Sequence, residues 1–276
     1  MTKPIWERPL ASPKFFLLTS SGFSTNRVVS EYLESAMEAA QAAGGLLRAH
    51  YGRPLTVDVN EAHDIKLELD RRSQALIESL LLIRFPSHAI YGEEGVRGDA
   101  GSEFQWVIDP IDGTVNYFYG IPHFAISIAL RQAGRIIVGV IYDPMRDELW
   151  TVEEGGVPML NGQPVAVSER KELSEAVISV GVAKSIDSIN RGLPLFERMV
   201  RSAKKCRMMG SAALDIAYVA CGRLDAYIES SISLWDVAAG ILLLERAGGK
   251  VVLAPHPSAA EKFSIVASNG IVELGL

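Results

Sequence analysis

The chain has 276 residues, of which 48% are hydrophobic and 22% charged, a composition typical of a soluble globular protein with a large core. Lys and Arg number 27 against 33 Asp and Glu, and the net charge of -6 argues against nucleic acid as the main ligand. The longest apolar run near the N-terminus, residues 15–18, is too short for a signal peptide or a membrane span. Cys206 and Cys221 lack CxxC spacing and are interpreted as buried free thiols, so we expect a cytoplasmic protein without a membrane partner.

The N-terminal residues 1–24 contain three prolines and no sustained periodicity, which predicts an extension of unassigned function before a single domain over residues 25–276. From residue 25, apolar residues recur at helical spacing as far as Leu47, and Gly52 is a stop signal. A second amphipathic helix is expected from about Asp70 to the residue before Pro86, followed by a short strand.

Residues 104–167 carry short apolar segments separated by turn residues, and this pattern predicts an antiparallel meander. The expected strands are 124–130, 135–142 and 148–152. A type I′ turn is predicted at Asn161-Gly162, because both residues tolerate a positive φ.

After residue 170, helices and strands mix without a repeating βαβ unit. The expected helices are 194–202, 211–221 and 236–247, and the expected strands are 206–208, 225–229 and two near Val251 and Ile265. This mixture predicts an α+β fold of layered, largely antiparallel sheets rather than a doubly wound parallel sheet.

The most informative stretch is an apolar strand that runs into two acids, Trp106-Val107-Ile108-Asp109-Pro110-Ile111-Asp112-Gly113-Thr114. Burying these acids is unfavourable unless something pairs with them. Because Pro110 stiffens the turn, the Asp109 and Asp112 carboxylates and the Ile111 carbonyl can converge, and such hard oxygen ligands suit Mg²⁺. Gly113 and Thr114 offer backbone N–H groups to a phosphate at an expected helix start. An ordinary Asp-Pro-Gly turn remains an alternative at this point.

Further acids raise the weight of the metal interpretation. Gly92-Glu93-Glu94 follows a predicted strand, and Asp236 opens an apolar helix, where it also has a structural explanation in the helix dipole. Taken together, these blocks resemble the signature blocks of the inositol monophosphatase family, in order and at similar separations, over about residues 31–269. The blocks that carry the resemblance are Gly92-Glu93-Glu94, Trp106-Val107-Ile108-Asp109-Pro110-Ile111-Asp112-Gly113-Thr114-Val115-Asn116, Gly210-Ser211-Ala212-Ala213, Asp225-Ala226-Tyr227-Ile228-Glu229, Leu234-Trp235-Asp236-Val237-Ala238-Ala239-Gly240 and Ala267-Ser268-Asn269.

The resemblance implies a fold, an activity and different roles for the two halves of the chain. The fold would be the layered αβαβα sandwich of the inositol monophosphatase and fructose-1,6-bisphosphatase type, with a metal-binding half over 25–170 and a substrate half over 171–276. The activity would be Mg²⁺-dependent hydrolysis of a small phosphorylated polyol or sugar, with inositol monophosphate as the first choice. Inhibition by Li⁺ and a homodimer are also expected from the family.

The family's metal sites map onto this chain residue by residue. The resemblance places one metal on Glu93, Asp109 and the Ile111 carbonyl, and a second on Asp109, Asp112 and Asp236. A third, weaker metal would lean on Glu93, so two or three Mg²⁺ are expected per site. Several cations would neutralise the phosphate dianion and stabilise charge on the entering and leaving oxygens.

The resemblance also implies catalytic and substrate residues. A metal-activated water is expected as the nucleophile, with Glu93 among the catalytic residues and with Thr114 and Asp70 orienting and deprotonating the water. The residues expected to contact the substrate are Asp112, Gly113, Thr114, Gly210, Ser211, Ala212, Glu229 and Asp236.

One departure from the family pattern lies before the second helix. The family usually reads Asp-x-Val-Thr-x-x-Asp, and this chain has Asp64-Ile65-Lys66-Leu67-Glu68-Leu69-Asp70. Both end aspartates are kept, whereas Lys66 and Glu68 are new charges that would share one face of a strand and could pair. Away from these blocks, His123 lacks any ligand spacing, and a structural role is expected for it.

Two sets of alternatives stay open. Phosphatases of the same architecture act on fructose 1,6-bisphosphate, histidinol phosphate, 3′-phosphoadenosine 5′-phosphate or NADP, and the phosphate machinery does not separate them. A regulatory binding protein that retains the fold is the alternative from another class, because some bacterial relatives associate with transcription or RNA-processing machinery.

Overall fold

The computed structural model describes residues 30–61, 64–99, 101–182, 185–256 and 262–276, so the predicted extension 1–24 lies outside the described residues. The helices are α1 (Glu31–His50), α2 (Glu68–Arg84), α3 (Thr114–Phe118), α4 (Ile186–Ser202), α5 (Ala212–Ala220) and α6 (Leu234–Arg246). The strands are β1 (Val57–Glu61), β2 (Asp64–Leu67), β3 (Ala89–Gly92), β4 (Gly95–Arg97), β5 (Phe104–Asp112), β6 (Ala125–Gln132), β7 (Arg135–Asp143), β8 (Glu148–Glu153), β9 (Met159–Leu160), β10 (Gln163–Pro164), β11 (Val177–Gly181), β12 (Lys205–Arg207), β13 (Ala226–Ser233), β14 (Lys250–Pro255) and β15 (Lys262–Ser268).

The strands form two large sheets and one hairpin, β1–β2. The first sheet has the order β10-β9-β8-β7-β6-β5-β3-β4 and is antiparallel except where β3 pairs with β5. The second has the order β12-β11-β13-β15-β14, with β11 parallel to both of its neighbours. The predicted meander is β6–β7–β8, and the predicted turn at Asn161 and Gly162, with φ of 48° and 74°, joins β9 to β10.

Three hydrophobic cores hold five layers together. One core packs α1 and α2 on the outer face of the first sheet, through residues such as Leu47, Leu81 and Trp106. The central core fills the space between the two sheets and contains most of α5 and α6. The third packs the second sheet against α4. The order is therefore helix, sheet, helix, sheet, helix, and the predicted αβαβα sandwich is confirmed.

Two close approaches set the spacing of these layers. Gly139 of β7 faces α6, where a Cβ would lie 2.7 Å from the Ala239 carbonyl oxygen. Gly240 of α6 faces α5, where a Cβ would lie 2.8 Å from Ile216 Cγ2. Both distances are shorter than a Cβ atom tolerates. Helix α6 can therefore approach β7 and α5 this closely only because glycine occupies both positions.

Several sequence predictions need correction. Helix α4 begins at Ile186, eight positions before the predicted start at Pro194, because Ser185 caps it by accepting a hydrogen bond from the Ser188 N–H at 3.2 Å. Pro194 lies inside α4 rather than at its start. The prediction also missed strand β11 and the hairpin β1–β2.

Two smaller predictions also change. Cys206 and Cys221 are free as predicted, but they are half-buried rather than buried. Strand β2 ends at Leu67 and Glu68 starts α2, so Lys66 and Glu68 do not share a strand face. Among the described helices, none is both long and apolar enough to cross a membrane.

Candidate active site

Three carboxylates converge where β5 ends against the start of α6. Asp109 and Asp112 come from β5 and Asp236 from α6, and one oxygen of each lies within 4.8 Å of the others. Asp109 and Asp112 are almost fully buried. Two segments more than a hundred residues apart in sequence thus supply one cluster of hard oxygen donors.

The turn at the end of β5 is fixed by its own hydrogen bonds. Pairing of β5 with β6 shifts register between Asp109 and Asp112, which turns both carboxylates toward the same side. Asp109 Oδ1 accepts from the Ile111 N–H at 3.0 Å, and the Pro110 carbonyl accepts from Ser73 Oγ of α2 at 3.2 Å. The turn is therefore positioned before any ligand binds.

Asp112 is also the acceptor at the N-terminus of α5. Its carboxylate accepts from Ser211 Oγ at 2.5 Å, from the Ala213 N–H at 2.8 Å and from the Ala212 N–H at 3.3 Å. The predicted substrate residues Ser211 and Ala212 thus contact Asp112 directly. Asp112 thus ties the end of β5 to the start of α5.

Burial and mutual repulsion raise the pKa values of Asp109 and Asp112. Burial, followed by the charges of Glu93, Asp112 and Asp236, raises the pKa of Asp109 well above its usual value. Burial and the charge of Asp236 raise the pKa of Asp112 to about 8, despite its hydrogen bonds. A divalent cation between these oxygens would remove the repulsion, so the residues present fit a hard metal ion.

Glu93 lies beside this cluster. Its N–H donates to the Ile108 carbonyl at 3.1 Å, and the N–H of Glu94 donates to Gln74 Oε1 of α2 at 2.9 Å. A Cβ at Gly92 would lie 2.4 Å from the same Gln74 oxygen, so glycine permits this contact. The Gly92-Glu93-Glu94 turn is therefore held firmly against α2, and Glu93 is close enough to raise the pKa of Asp109.

Asp70 and Thr114 form a hydrogen-bonded pair on the other side of the turn. Thr114 Oγ1 lies 3.0 Å from Asp70 Oδ1 and 2.9 Å from the Ile111 carbonyl oxygen. Asp70 Oδ2 accepts from the Leu67 N–H at 3.0 Å, which fixes the carboxylate at the first turn of α2. Burial raises the pKa of Asp70 to about 7, near the value that suits a proton acceptor at neutral pH.

The loops that carry Gly113 and Gly210 meet at this end of the sheet. A Cβ at Gly113, with φ of 95°, would lie 3.0 Å from the Gly210 carbonyl and 3.1 Å from the His123 carbonyl. The sequence analysis assigned no role to Asn116. Its Nδ2 donates to the His123 and Met209 carbonyls at 2.8 Å each. His123 itself is buried and packs edge-on against Tyr218.

Glu229 lies on β13, close enough to Asp236 for the two charges to interact. It is almost fully buried, and burial, followed by the charge of Asp236, raises its pKa to about 8. Its Oε2 accepts from the Tyr227 hydroxyl and lies against Gly181 of β11, where a Cβ would overlap the carboxylate. The sequence pattern missed Gly181, because its function depends on a neighbouring strand.

A testable result follows from these raised pKa values. In the native state Asp70, Asp112 and Glu229 hold their protons to pH 7 or 8, whereas their unfolded pKa values are near 4. Between these pH values the native metal-free protein binds more protons than the unfolded chain. Its stability is therefore greatest below about pH 4 and falls as the pH rises toward about 8. We expect the free energy of unfolding in EDTA, measured by urea titration, to fall by a few kcal/mol over this range. Saturating Mg²⁺ should suppress the part of the fall that comes from Asp112, and a pH-independent stability in EDTA would contradict the prediction.

Comparison with known proteins places this geometry in a family. The model of the inositol monophosphatase family matches residues 28–274. The chain is 41% identical to the Nus factor SuhB of Pseudomonas aeruginosa over 86% of this chain and 91% of that one. It is 39% identical to the inositol-1-monophosphatase of Rhizobium meliloti, over 80% of this chain and 84% of that one. The solved structure of the extragenic suppressor protein SuhB from Bartonella henselae superposes with a TM-score of 0.81 at 34% identity, over 88% and 95%. The chain therefore belongs to the inositol monophosphatase family.

Proposed function

We propose that this protein hydrolyses a small phosphomonoester in a Mg²⁺-dependent reaction, with inositol monophosphate as the first substrate to test. The convergence of Asp109, Asp112 and Asp236, with oxygens within 4.8 Å, is the observation that carries the proposal. The relative in Rhizobium meliloti named inositol-1-monophosphatase supports the substrate class. The deciding experiment measures phosphate release from inositol 1-phosphate with Mg²⁺ and with EDTA.

The cation ligands would be Glu93, Asp109, the Ile111 carbonyl, Asp112 and Asp236. Two or three Mg²⁺ bound there would neutralise the phosphate and lower the pKa of the attacking water. Asp70 and Thr114 would orient this water and take its proton, because their hydrogen bond joins a hydroxyl to a carboxylate that titrates near neutral pH.

The Thr114 hydroxyl can be tested by a pair of substitutions. Thr114→Val removes the hydroxyl at nearly constant volume, and Thr114→Ser keeps it. We expect kcat to fall about 100-fold in the valine variant, because a positioned proton acceptor contributes about that much or more. The serine variant should retain most of its activity, and Mg²⁺ affinity should change little in either. Equal kcat values for the valine variant and the wild type would exclude this role.

The substrate pocket would lie between Gly113, Gly210 and Glu229, with Asp112, Thr114, Ser211, Ala212 and Asp236 at its base. The buried carboxylate of Glu229 suits the hydroxyls of a polyol, to which it offers acceptors. A panel of inositol 1-phosphate, fructose 1,6-bisphosphate, histidinol phosphate, 3′-phosphoadenosine 5′-phosphate and NADP would separate the alternatives. Preferred turnover of a nucleotide would replace the polyol assignment while leaving the phosphatase class intact.

Three further properties belong to this proposal. Li⁺ at roughly tens of millimolar should inhibit the enzyme, which an assay at constant ionic strength would reveal. The protein should be a homodimer by sedimentation, and it should fractionate with the cytoplasm. Each property rests on the family.

A second candidate function is a regulatory binding role within the same fold. The 41% identity to a protein named Nus factor SuhB favours it. The discriminating result would be cation binding by the isolated protein without turnover of any substrate in the panel. Turnover that depends on Asp109 would establish the enzymatic role and leave a binding role to be tested separately.

A further inference from the structure

Of the two charges that depart from the family pattern, Lys66 at the end of β2 is the one near the candidate metal centre. Its ammonium nitrogen lies 3.0 Å from Glu94 Oε1 and 3.9 Å from Glu93 Oε1. Glu93 is the carboxylate that we assign to the cations. Lys66 therefore places a fixed positive charge beside a metal ligand.

This contact differs from an ordinary surface ion pair. The side chains of Glu93 and Glu94 are only 16% and 11% exposed, and that of Lys66 is 35% exposed. The backbone of both acids is held by the Ile108 carbonyl and by Gln74. Because the acids are shielded and their turn is fixed, the ammonium interacts with them more strongly than a pair in bulk water would.

We propose that Lys66 is a built-in cation that competes with the divalent cations for Glu93 and thereby sets how tightly the metal centre is loaded. The inference rests on the proposed function, because it assumes that Glu93 faces a bound cation. Lys66 weakens loading in two ways: it repels a dication, and it occupies part of the negative charge that would attract one. Glu94 acts in the opposite direction, because it draws the ammonium away from Glu93.

Substitutions of Lys66 and Glu94 should consequently change the cation affinity in opposite directions. Removing the Lys66 charge should tighten cation binding, since a unit charge a few ångströms away costs a dication on the order of a tenfold change in affinity even in a watery environment. Removing the Glu94 charge should weaken binding, because the ammonium loses its partner at 3.0 Å and can approach Glu93 more closely. If the ion pair were merely structural, both substitutions would destabilise the fold, and both would change the cation affinity in the same direction.

The test titrates the metal-free full chain with Mn²⁺ and follows the free ion by electron paramagnetic resonance, without substrate. Lys66→Gln should bind Mn²⁺ about fivefold to tenfold more tightly than the wild type. Glu94→Gln should bind it more weakly, and Lys66→Arg, which keeps the charge, should resemble the wild type. Lys205→Gln, the same change on the exposed strand β12, is the matched control. Thermal unfolding of each variant identifies a loss of folding.

Each outcome has a distinct meaning. Unchanged or weaker Mn²⁺ binding by a folded Lys66→Gln variant would overturn the inference while leaving the metal centre in place. A raised KM with unchanged Mn²⁺ affinity would also overturn it, because Lys66 would then contact the phosphate instead. Failure of the wild type to bind Mn²⁺ at all would overturn the proposed function itself.

Discussion

Asp109→Asn should lower kcat/KM for phosphate release by more than about 100-fold, because even residues that only support metal ligands contribute 10-fold to 100-fold. The amide can still accept from the Ile111 N–H, so the turn should keep its shape. It has no charge with which to hold a cation shared between two sites. The loss should appear equally in Mg²⁺ binding by calorimetry.

The same substitution should stabilise the metal-free protein. Asp109 is buried beside Glu93, Asp112 and Asp236, whose charges disfavour its ionised form. Replacing it with a neutral amide removes that repulsion, so the melting temperature in EDTA should rise while the gain conferred by Mg²⁺ disappears. Asp187→Asn, the same change at the exposed start of α4, is the control: loss of its ion pair with Arg191 should change the melting temperature only slightly and leave the gain conferred by Mg²⁺ unchanged. An Asp109→Asn protein with normal turnover would remove the basis of the metal assignment.

Gly139→Ala should impair both stability and metal binding, although Gly139 is not one of the candidate ligands. Its new Cβ would lie 2.7 Å from the Ala239 carbonyl and 3.2 Å from Ala239 Cα, so the backbone of α6 must move away from the first sheet. Such overpacking costs about 1–3 kcal/mol. Because α6 carries Asp236 and β5 carries Asp109, the movement also separates two cation ligands.

We therefore expect a lower melting temperature and a weaker Mg²⁺ affinity in this variant, measured by calorimetry on the folded fraction. Gly45→Ala is the control, because a Cβ there has open space in α1 and should stabilise the helix by about 0.5–1 kcal/mol. Loss of stability without loss of Mg²⁺ affinity would show that α6 can shift without moving Asp236.

The layered fold was predictable from the sequence because its signals are local. The meander alternates apolar and turn residues, and the acids at Asp109 and Asp112 interrupt an apolar strand. The role of Asp236 was not evident from local pattern, since a helix-start acid has a structural explanation of its own, and only the resemblance joined it to the site. In the structure an oxygen of Asp236 lies within 4.8 Å of oxygens of Asp109 and Asp112.

The features that the sequence missed depend on contacts between distant segments. Gly139 and Gly181 are required by a helix and by a carboxylate that approach from elsewhere in the chain. Lys66 and Glu68 were expected to share a strand face, where they could pair. Instead α2 begins immediately after Leu67, and Lys66 contacts Glu94 and Glu93. No periodicity in a single segment reports which residues of another segment will face it.

The attachment of α5 to Asp112 has a consequence for how new substrate preferences can arise. Laboratory selection for a bulkier phosphate ester would favour changes at the start of this helix, where Ser211 and Ala212 border the proposed pocket. Those residues also hold the Asp112 carboxylate in place. Variants with an altered substrate range should therefore also have an altered affinity for Mg²⁺. Screens run at a single Mg²⁺ concentration would discard some of them.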